Sequence, residues 1–463
     1  MHIHIVGICG RVYAHLAKEL VRMGHEVTGS DDRPMPPVSD FLKENNLFCS
    51  PAFSPDNLSP SCDLVLANAL YGGDNAEIIR ARELGIPVSN FARYLGERFL
   101  GSSRNIVVAG SYGKTTTSAM LAWIMESAGK EPGWLVGGPC ANLGGEHVRI
   151  REGGWWVLEG DEYRTSADDA SPKFRHYNPQ IGVITALDYV HQDQFESLEV
   201  TAGLFRGFMG LLPEGGVAFL ADTPLIREMI LSDRRGKAVL VGFGEESDER
   251  VIAEGWQEGR NRFSVRGIPF DLGLRGRHSC LNAALAALAA EAAGVSLGES
   301  AAALGTFEGV GGRLETVLDR DDLTVISDLA IYPRSIAEVV SSVRESSRGR
   351  RFAVLFQPRY TLGDEEAYYR GLAGAFAGVD LLMLADAVNY PGIPKAFAFA
   401  ADRLESLLPE STTLTRVGPA MKSFDAWRGE VRDGDIWLVM VEPLFPEPLG
   451  SIRTFPHGEN AVN

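Results

Sequence analysis

Short apolar runs alternate along this chain with stretches in which apolar residues recur every three or four positions, the pattern of strands traded for helices. A run over 3–6 predicts a strand. Gly7-Ile-Cys-Gly10 then predicts a turn, 12–23 a helix, and 25–29 a second strand that ends at Ser30-Asp31-Asp32. A further apolar strand over 64–67 stops at Asn68. A strand, a glycine turn, a helix, and an acidic residue about twenty positions on form the layout of a nucleotide-binding Rossmann half. The turn reads GxxG and lacks the GxGxxG spacing of a dinucleotide fingerprint, which argues against a nicotinamide-dependent dehydrogenase.

The polar stretch 101–105 reads as a linker, after which a second rhythm begins. Residues 106–109 are apolar and break into Gly110-Ser-Tyr-Gly-Lys-Thr115, followed by helical spacing over 118–129 through Met120, Leu121, Ile124 and Met125. Strands are expected over 155–158 and 181–185, a polar excursion or hairpin outside the core over 245–262, and an alanine-rich helix over 281–293. Glycine content rises over 305–312, where a second boundary falls. Beyond it come strands over 323–326, 353–356, 381–385 and 436–441, with helices over 335–343 and 368–376. The fold class is therefore α/β with three domains: a Rossmann-like unit over 1–102, a central P-loop ATPase-like unit over 103–308, and a C-terminal Rossmann-like unit over 309–463.

The glycine-flanked turn carries the clearest chemistry. A strand feeding such a turn aims backbone N–H groups at one spot, where Lys114 meets phosphate and the hydroxyl of Thr115 meets Mg²⁺. Val108 stands where the longer loop form has glycine, so this is the compact GxxGKT form starting at Gly110. The chain is expected to bind a nucleoside triphosphate. Three further clusters fall where ligands collect in open α/β sheets: Glu159-Gly-Asp-Glu-Tyr163, Asp188-Tyr-Val-His191 with Asp193, and Gly276-Arg-His-Ser-Cys-Leu-Asn282. A hard carboxylate at Glu159 suits Mg²⁺ beside Thr115.

Charge narrows the partners. The 463 residues hold 44 Lys and Arg against 61 Asp and Glu, a net charge of −17, which argues against nucleic acid or an anionic membrane as the main partner. Anionic ligands must then meet local cations, helix N-termini or Mg²⁺. Cys9, Cys49, Cys62, Cys140 and Cys280 are scattered without a CxxC pair, which suits a reducing compartment. The first residues enter a strand directly, without the pattern of a signal peptide, and a cytoplasmic location is expected.

The strings GICG, GSD, GSYGKTTT, EGDEY, PKFRHY, DYVHQD, GRHSCLN and FEGVGGRLE, in this order, resemble the Mur ligases, ATP-dependent amide-forming enzymes of peptidoglycan and cell-wall biogenesis. The first-domain strings and DEY…KFRHY are most similar to the branch that joins UDP-N-acetylmuramate to L-alanyl-γ-D-glutamyl-meso-diaminopimelate. The branch that adds L-alanine shares most motifs, and a paralogue that binds nucleotide with weakened turnover is a third reading. The resemblance implies that Gly7, Gly10, Ser30, Asp31 and Asn68 surround the UDP group. It implies that Gly110, Ser111, Gly113, Lys114, Thr115 and Thr116 hold ATP phosphates, with His278 and Asn282 on the adenine side. Thr115, Glu159 and His191 are implied as metal ligands, and Lys114, His191 and Arg313 as catalytic. Arg313 and Asp328 would come from the third domain to close over ATP about the glycines at 309, 311 and 312. The implied chemistry is phosphorylation of the muramate carboxylate to an acyl phosphate, then displacement of phosphate by the amine.

Against the family pattern the chain carries Ala186 and Ser279 for asparagine and Val190 for aspartate. Ser327-Asp-Leu-Ala-Ile-Tyr-Pro333 lacks two histidines, at Ile331 and Tyr332, and Val441-Glu-Pro-Leu-Phe-Pro-Glu447 replaces a glycine-rich segment.

Overall fold

The computed structural model describes residues 1–166, 168–190, 195–231, 237–347, 349–358, 365–387, 399–441 and 452. Among these the strands assemble into sheets of four, ten and six, each within an α/β arrangement.

The first sheet runs Glu26–Ser30, His2–Val6, Leu64–Ala67, Val88–Ser89, all parallel. Helix Arg11–Arg22 lays Ala14, Leu16, Ala17 and Leu20 onto it, the i, i+3, i+4 positions its sequence supplies. The strand order reverses at His2–Val6, so a crevice opens at its C-terminal end, where Gly7 and Asn68 lie.

The central sheet is built around the strand Arg104–Ala109, with Trp155–Glu159 on one side and Pro179–Ile184 on the other. The middles of these strands, residues 106–109, 155–158 and 181–184, are continuous apolar runs, as burial on both faces of a parallel sheet requires. The order reverses here too, and helix Lys114–Ser127 leaves from the reversal point. The alanine-rich helix Arg277–Ala292 packs against it, small side chains allowing a close approach.

In the third sheet Glu315–Asp319 pairs antiparallel with Leu323–Ser327. Asp435–Met440, Phe352–Phe356, Leu381–Ala385 and Thr413–Gly418 follow in parallel. Alternation within one strand feeds two apolar layers: Phe352, Val354 and Phe356 enter one, Ala353 and Leu355 the other.

The segment 101–105 is no free linker. Strand Arg104–Ala109 absorbs its end, and buried Asn105 donates from Nδ2 to the Leu100 and Asn178 carbonyls at 2.9 and 3.2 Å. The polar region 245–262 forms the expected hairpin: the strands Glu249–Gln257 and Arg260–Val265 pair antiparallel and continue into Ile268–Leu272 as a meander on the edge of the central sheet. Val251 is buried within it, and beyond it Phe263, Val265, Phe270 and Leu272 are buried too. Helices Lys114–Ser127 and Arg277–Ala292 start earlier than apolar spacing implies, because Gly113 (φ 84°) and Gly276 (φ 88°) turn the chain straight into them.

The first and central units meet through named contacts. Glu146 accepts from His15 at 2.8 Å and pairs with Lys18; Glu19 accepts from the Ile150 amide at 2.6 Å. At Gly96, in helix Phe91–Arg98, a Cβ would collide with the His176 carbonyl oxygen. Gly96→Ala should therefore lower stability by about 1–3 kcal/mol through overpacking, despite the roughly 1 kcal/mol that helix propensity favours alanine. Calorimetric unfolding measures this, and an unchanged or raised Tm would show that the His176 turn yields freely.

Candidate active site

Parallel register builds the site. Val108 lies beside Glu159 on one side and Val183 on the other, so Gly110 to Gly113, the Glu159 cluster and the 185–190 loop emerge at one sheet edge. Gly110 (φ 138°) and Gly113 (φ 84°) bend the chain into the helix Lys114–Ser127. A Cβ on Gly110 would strike the Thr185 hydroxyl, and one on Gly113 would sit 2.9 Å from the Asn282 side-chain oxygen. The turn is thus enclosed by its neighbours, with the first helical turn and its partial positive charge facing it.

Thr115 and Glu159 come together as expected: Thr115 Oγ1 donates to Glu159 Oε1 at 2.9 Å. The other oxygen, Oε2, accepts from the Gly137 amide at 2.6 Å. Lys114 Nζ donates to the Gly110 carbonyl and to Glu162 Oε2, both at 2.7 Å. Burial opposes the ammonium charge, yet Glu162, Asp161 and Glu159 outweigh it and hold the Lys114 pKa above its ordinary range. Burial pushes the Glu159 carboxyl up, with Lys114 and the Gly137 amide acting against it. Asp161 is paired with Lys173 at 2.5 Å.

The loop after Pro179–Ile184 is bonded to the turn: Ser111 N donates to Ala186 O at 3.0 Å, and Ser111 Oγ to Asp188 O at 3.1 Å. Tyr112 donates to the Asp188 carboxylate, which Arg334 approaches at 3.9 Å from helix Pro333–Ser347. His191 and Asp193 lie outside the described residues. Among the described residues no group of three or more His, Cys, Asp or Glu could hold a metal ion.

Asn282 faces Gly113, while half-buried His278 lies 3.5 Å from Ser342 Oγ of the third unit. Burial lowers the His278 pKa to about 4. The segment before Arg313 is seated at the same place. The Gly311 amide donates to Pro139 O at 2.9 Å, and a Cβ on Gly138 would lie 2.7 Å from Val310 and 3.2 Å from Thr115. Arg313 itself is exposed, within electrostatic range of Asp328. Asp328 is buried, its oxygens accepting from the Leu314 and Ala330 amides at 2.8 and 2.7 Å. Its carboxylate fixes the chain around Arg313.

In the first unit, Gly7 and Ile8 donate to Ser30 O at 2.8 and 3.1 Å, and a Cβ on Gly10 would lie 2.7 Å from Asn68 Nδ2. Gly7, Gly10 and Asn68 are thus assembled. The expectation that Ser30 and Asp31 face a ligand needs correction, because both side chains are buried. Ser30 Oγ donates to Glu77 at 2.5 Å, and Asp31 accepts from the Cys9 and Arg33 amides, both at 3.0 Å. A pattern of short apolar strands gives no sign of a fully buried acid such as Glu77, 73 residues from its His4 partner. The Gly137-Gly138-Pro139 turn was also missed; its sequence signal is a double glycine directly after the strand Gly133–Leu135.

Comparison with known proteins follows this geometry. Residues 2–101 match the family model described as Mur ligase family, catalytic domain, and residues 108–290 the Mur ligase middle domain. A UDP-N-acetylmuramate–L-alanyl-gamma-D-glutamyl-meso-2,6-diaminoheptandioate ligase of Haemophilus influenzae is 28% identical over 77% of this chain and 80% of its own. A UDP-N-acetylmuramate–L-alanine ligase of Acidithiobacillus ferrooxidans is 31% identical over 83% and 82%. The crystal structure of a murein peptide ligase from Psychrobacter arcticus covers 99% of this chain and 100% of its own at 23% identity, with a TM-score of 0.71.

Burial of His278 has a pH signature. Its pKa is lowered on folding, so the unfolded chain binds the proton more tightly, and stability falls as pH drops from about 6.5 toward the folded value of about 4. His147, also lowered to about 4 by burial, adds to this slope. His278→Asn should flatten the fall in urea midpoint between neutral and acid pH; an identical slope would remove His278 from the buried set.

Proposed function

Because the chain belongs to the Mur ligase family, we propose that this ATP-dependent, C–N bond-forming ligase joins UDP-N-acetylmuramate to L-alanyl-γ-D-glutamyl-meso-diaminopimelate in peptidoglycan recycling. The observation that carries the reading is the compact P-loop with Lys114 at its mouth and Thr115 bonded to half-buried Glu159. The tripeptide acceptor is favoured by the GICG, GSD and DEY…KFRHY strings and by the likeness to the Haemophilus influenzae ligase. Likeness to the L-alanine ligase at a comparable level supports the same UDP-sugar donor with a simpler acceptor.

The division of labour follows the three sheets: 1–102 for the UDP group, 103–308 for ATP, and 309–463 for closure and the acceptor. Gly7, Gly10 and Asn68 would line the UDP site, with Ser30 and Asp31 shaping its turn from within. Gly110, Ser111, Gly113, Lys114, Thr115 and Thr116 would cradle the phosphates. Asn282 and His278 would face the base, and Arg313 would approach from the third unit. The five cysteines are free and ATP and UDP-sugars are cytoplasmic metabolites, so the cytoplasm is the compartment we propose. No helix among the described residues is long and apolar enough to cross a membrane.

A divalent cation fits this donor set, since a hydroxyl and a half-buried carboxylate, both hard oxygens, converge 2.9 Å apart. Thr115 and Glu159 would hold Mg²⁺, with His191 assigned beside them by resemblance. Bound there, the ion neutralises phosphate charge. Lys114 would exchange its bond to Glu162 for a phosphate oxygen, moving one cation a short way while Glu162 stays buried. The substrate carboxylate would take the phosphoryl group as an acyl phosphate, and the amine would displace phosphate. Enclosure by the 137–139 and 310–313 segments would keep water from that step.

Phosphate release from ATP, with UDP-N-acetylmuramate and either the tripeptide, L-alanine, glycine or serine, tests the proposal. Turnover with the tripeptide supports it. Turnover only with L-alanine assigns the neighbouring activity, and release with none of the four assigns a nucleotide-binding paralogue. Lys114→Ala should lose about 10²-fold or more in rate; a variant within a few-fold of the parent would remove the P-loop from the mechanism.

Glu159→Gln exchanges a charged oxygen ligand for a neutral one. It should shift the Mg²⁺ titration of activity to higher concentration and leave UDP-N-acetylmuramate binding intact. A superimposable titration would exclude Glu159 from the metal site.

A further inference from the structure

Resting on the reading that the first unit holds a uridine diphosphate, we propose that Tyr71 and Asp32, rather than Asp31, recognise its nucleoside. Tyr71 stacks on the base, and Asp32 accepts from a ribose hydroxyl.

The strand Glu26–Ser30 runs into two adjacent acids, Asp31 and Asp32. A Rossmann half places an acid there to meet ribose, about twenty residues past the glycine turn. Two adjacent acids satisfy that spacing, and neighbouring side chains on extended backbone point in opposite directions. Asp31 points inward. It is 5% exposed, and its two oxygens accept from the Cys9 and Arg33 amides, clamping the GICG turn to the strand end. Asp32 points outward and is exposed, with Oδ1 accepting from the Tyr71 hydroxyl at 3.1 Å. An ionised carboxylate only accepts hydrogen bonds, so the group that suits Asp32 is a donor such as a sugar hydroxyl.

Tyr71 reaches Asp32 from across the crevice. Asn68, at the end of Leu64–Ala67, accepts the Tyr71 amide on its carbonyl at 2.9 Å and the Leu70 amide on Oδ1 at 3.2 Å. This tight turn brings the ring edge over the glycine turn, with Cδ2 2.9 Å from where a Cβ on Gly7 would be. Phe53 packs against the ring at 4.7 Å between centroids and 64° between planes, which fixes its tilt. Only glycine at position 7 leaves room for that ring. Leu70, next to it, is 84% exposed, an apolar surface at the same mouth. Diphosphate on the Gly7–Gly10 turn thus has an aromatic ring and an outward carboxylate beside it, bonded to each other across the point where the strand order reverses.

Titration calorimetry with UDP, 2′-deoxy-UDP, 3′-deoxy-UDP and UDP-N-acetylmuramate tests this on the full chain. The parent should prefer UDP to at least one deoxy analogue. Asp32→Asn should weaken UDP about 10-fold and erase that preference, a change that a merely structural role would not produce. Tyr71→Ala should weaken UDP and UDP-N-acetylmuramate about 10-fold or more. Tyr71→Phe keeps the ring, so it should lose far less affinity than Tyr71→Ala while blunting the ribose preference. Asp32→Asn and Tyr71→Phe are isosteric, so they test the idea even where Tyr71→Ala unfolds. Unchanged binding and preference in both would overturn it. A parent chain that binds none of the uridine ligands would instead overturn the underlying reading of the first unit.

Discussion

Three carboxylates, Glu159, Asp161 and Glu162, leave the end of one strand within four residues, and the site is organised by the need to keep them together. Burial, and the nearby charge of Asp161, push the Glu159 carboxyl up. Two lysines answer the cluster, Lys114 on Glu162 and Lys173 on Asp161, while Glu159 has the Thr115 hydroxyl and the Gly137 amide. The cation that would serve phosphate is therefore already part of the resting charge balance. In this arrangement Lys114 is held against Glu162, and the neighbouring carboxylates keep its charge secured against burial.

Close approach does the rest. The turn 137–139 can bring an amide to Glu159 and admit Val310 against Thr115 only because positions 137 and 138 lack side chains. A Cβ at Gly137 would lie 2.8 Å from both Glu159 oxygens. Gly311 completes the seam through Pro139, and Gly312 is packed against Leu329. The glycines at 309–312 therefore join the third unit to the P-loop as well as offering it freedom of rotation.

Much of this was legible in sequence because it is local. The P-loop, its helix, the three-sheet rhythm and the pairing of Thr115 with Glu159 follow from apolar runs, glycines and one register between adjacent strands. What was not legible depends on direction or on partners far along the chain. Asp31 and Asp32 are equivalent as letters, and only the turn made by Cys9 and Arg33 assigns one to the interior. Ser30 reads as a ligand contact until buried Glu77 is seen to take its hydroxyl. The 245–262 region was legible as a hairpin, but Val251, its one buried apolar residue, is masked by the charges around it.

The departures from the family pattern can be read in the same physical terms. Val190 is buried, a position where an aspartate would need a partner, and valine removes that demand. Ser279 returns its hydroxyl to the Arg275 carbonyl at 2.7 Å and so stabilises the first turn of its own helix. Ala186 contributes through its backbone, its carbonyl accepting from Ser111. Each substituted residue is thus absorbed into the scaffold that shapes the P-loop, whereas Lys114, Thr115 and Glu159 keep both their identities and their mutual bonds. Ile331 and Tyr332 lie in the third unit, just before helix Pro333–Ser347, and the bonds of Lys114 to Glu162 and of Thr115 to Glu159 do not involve them.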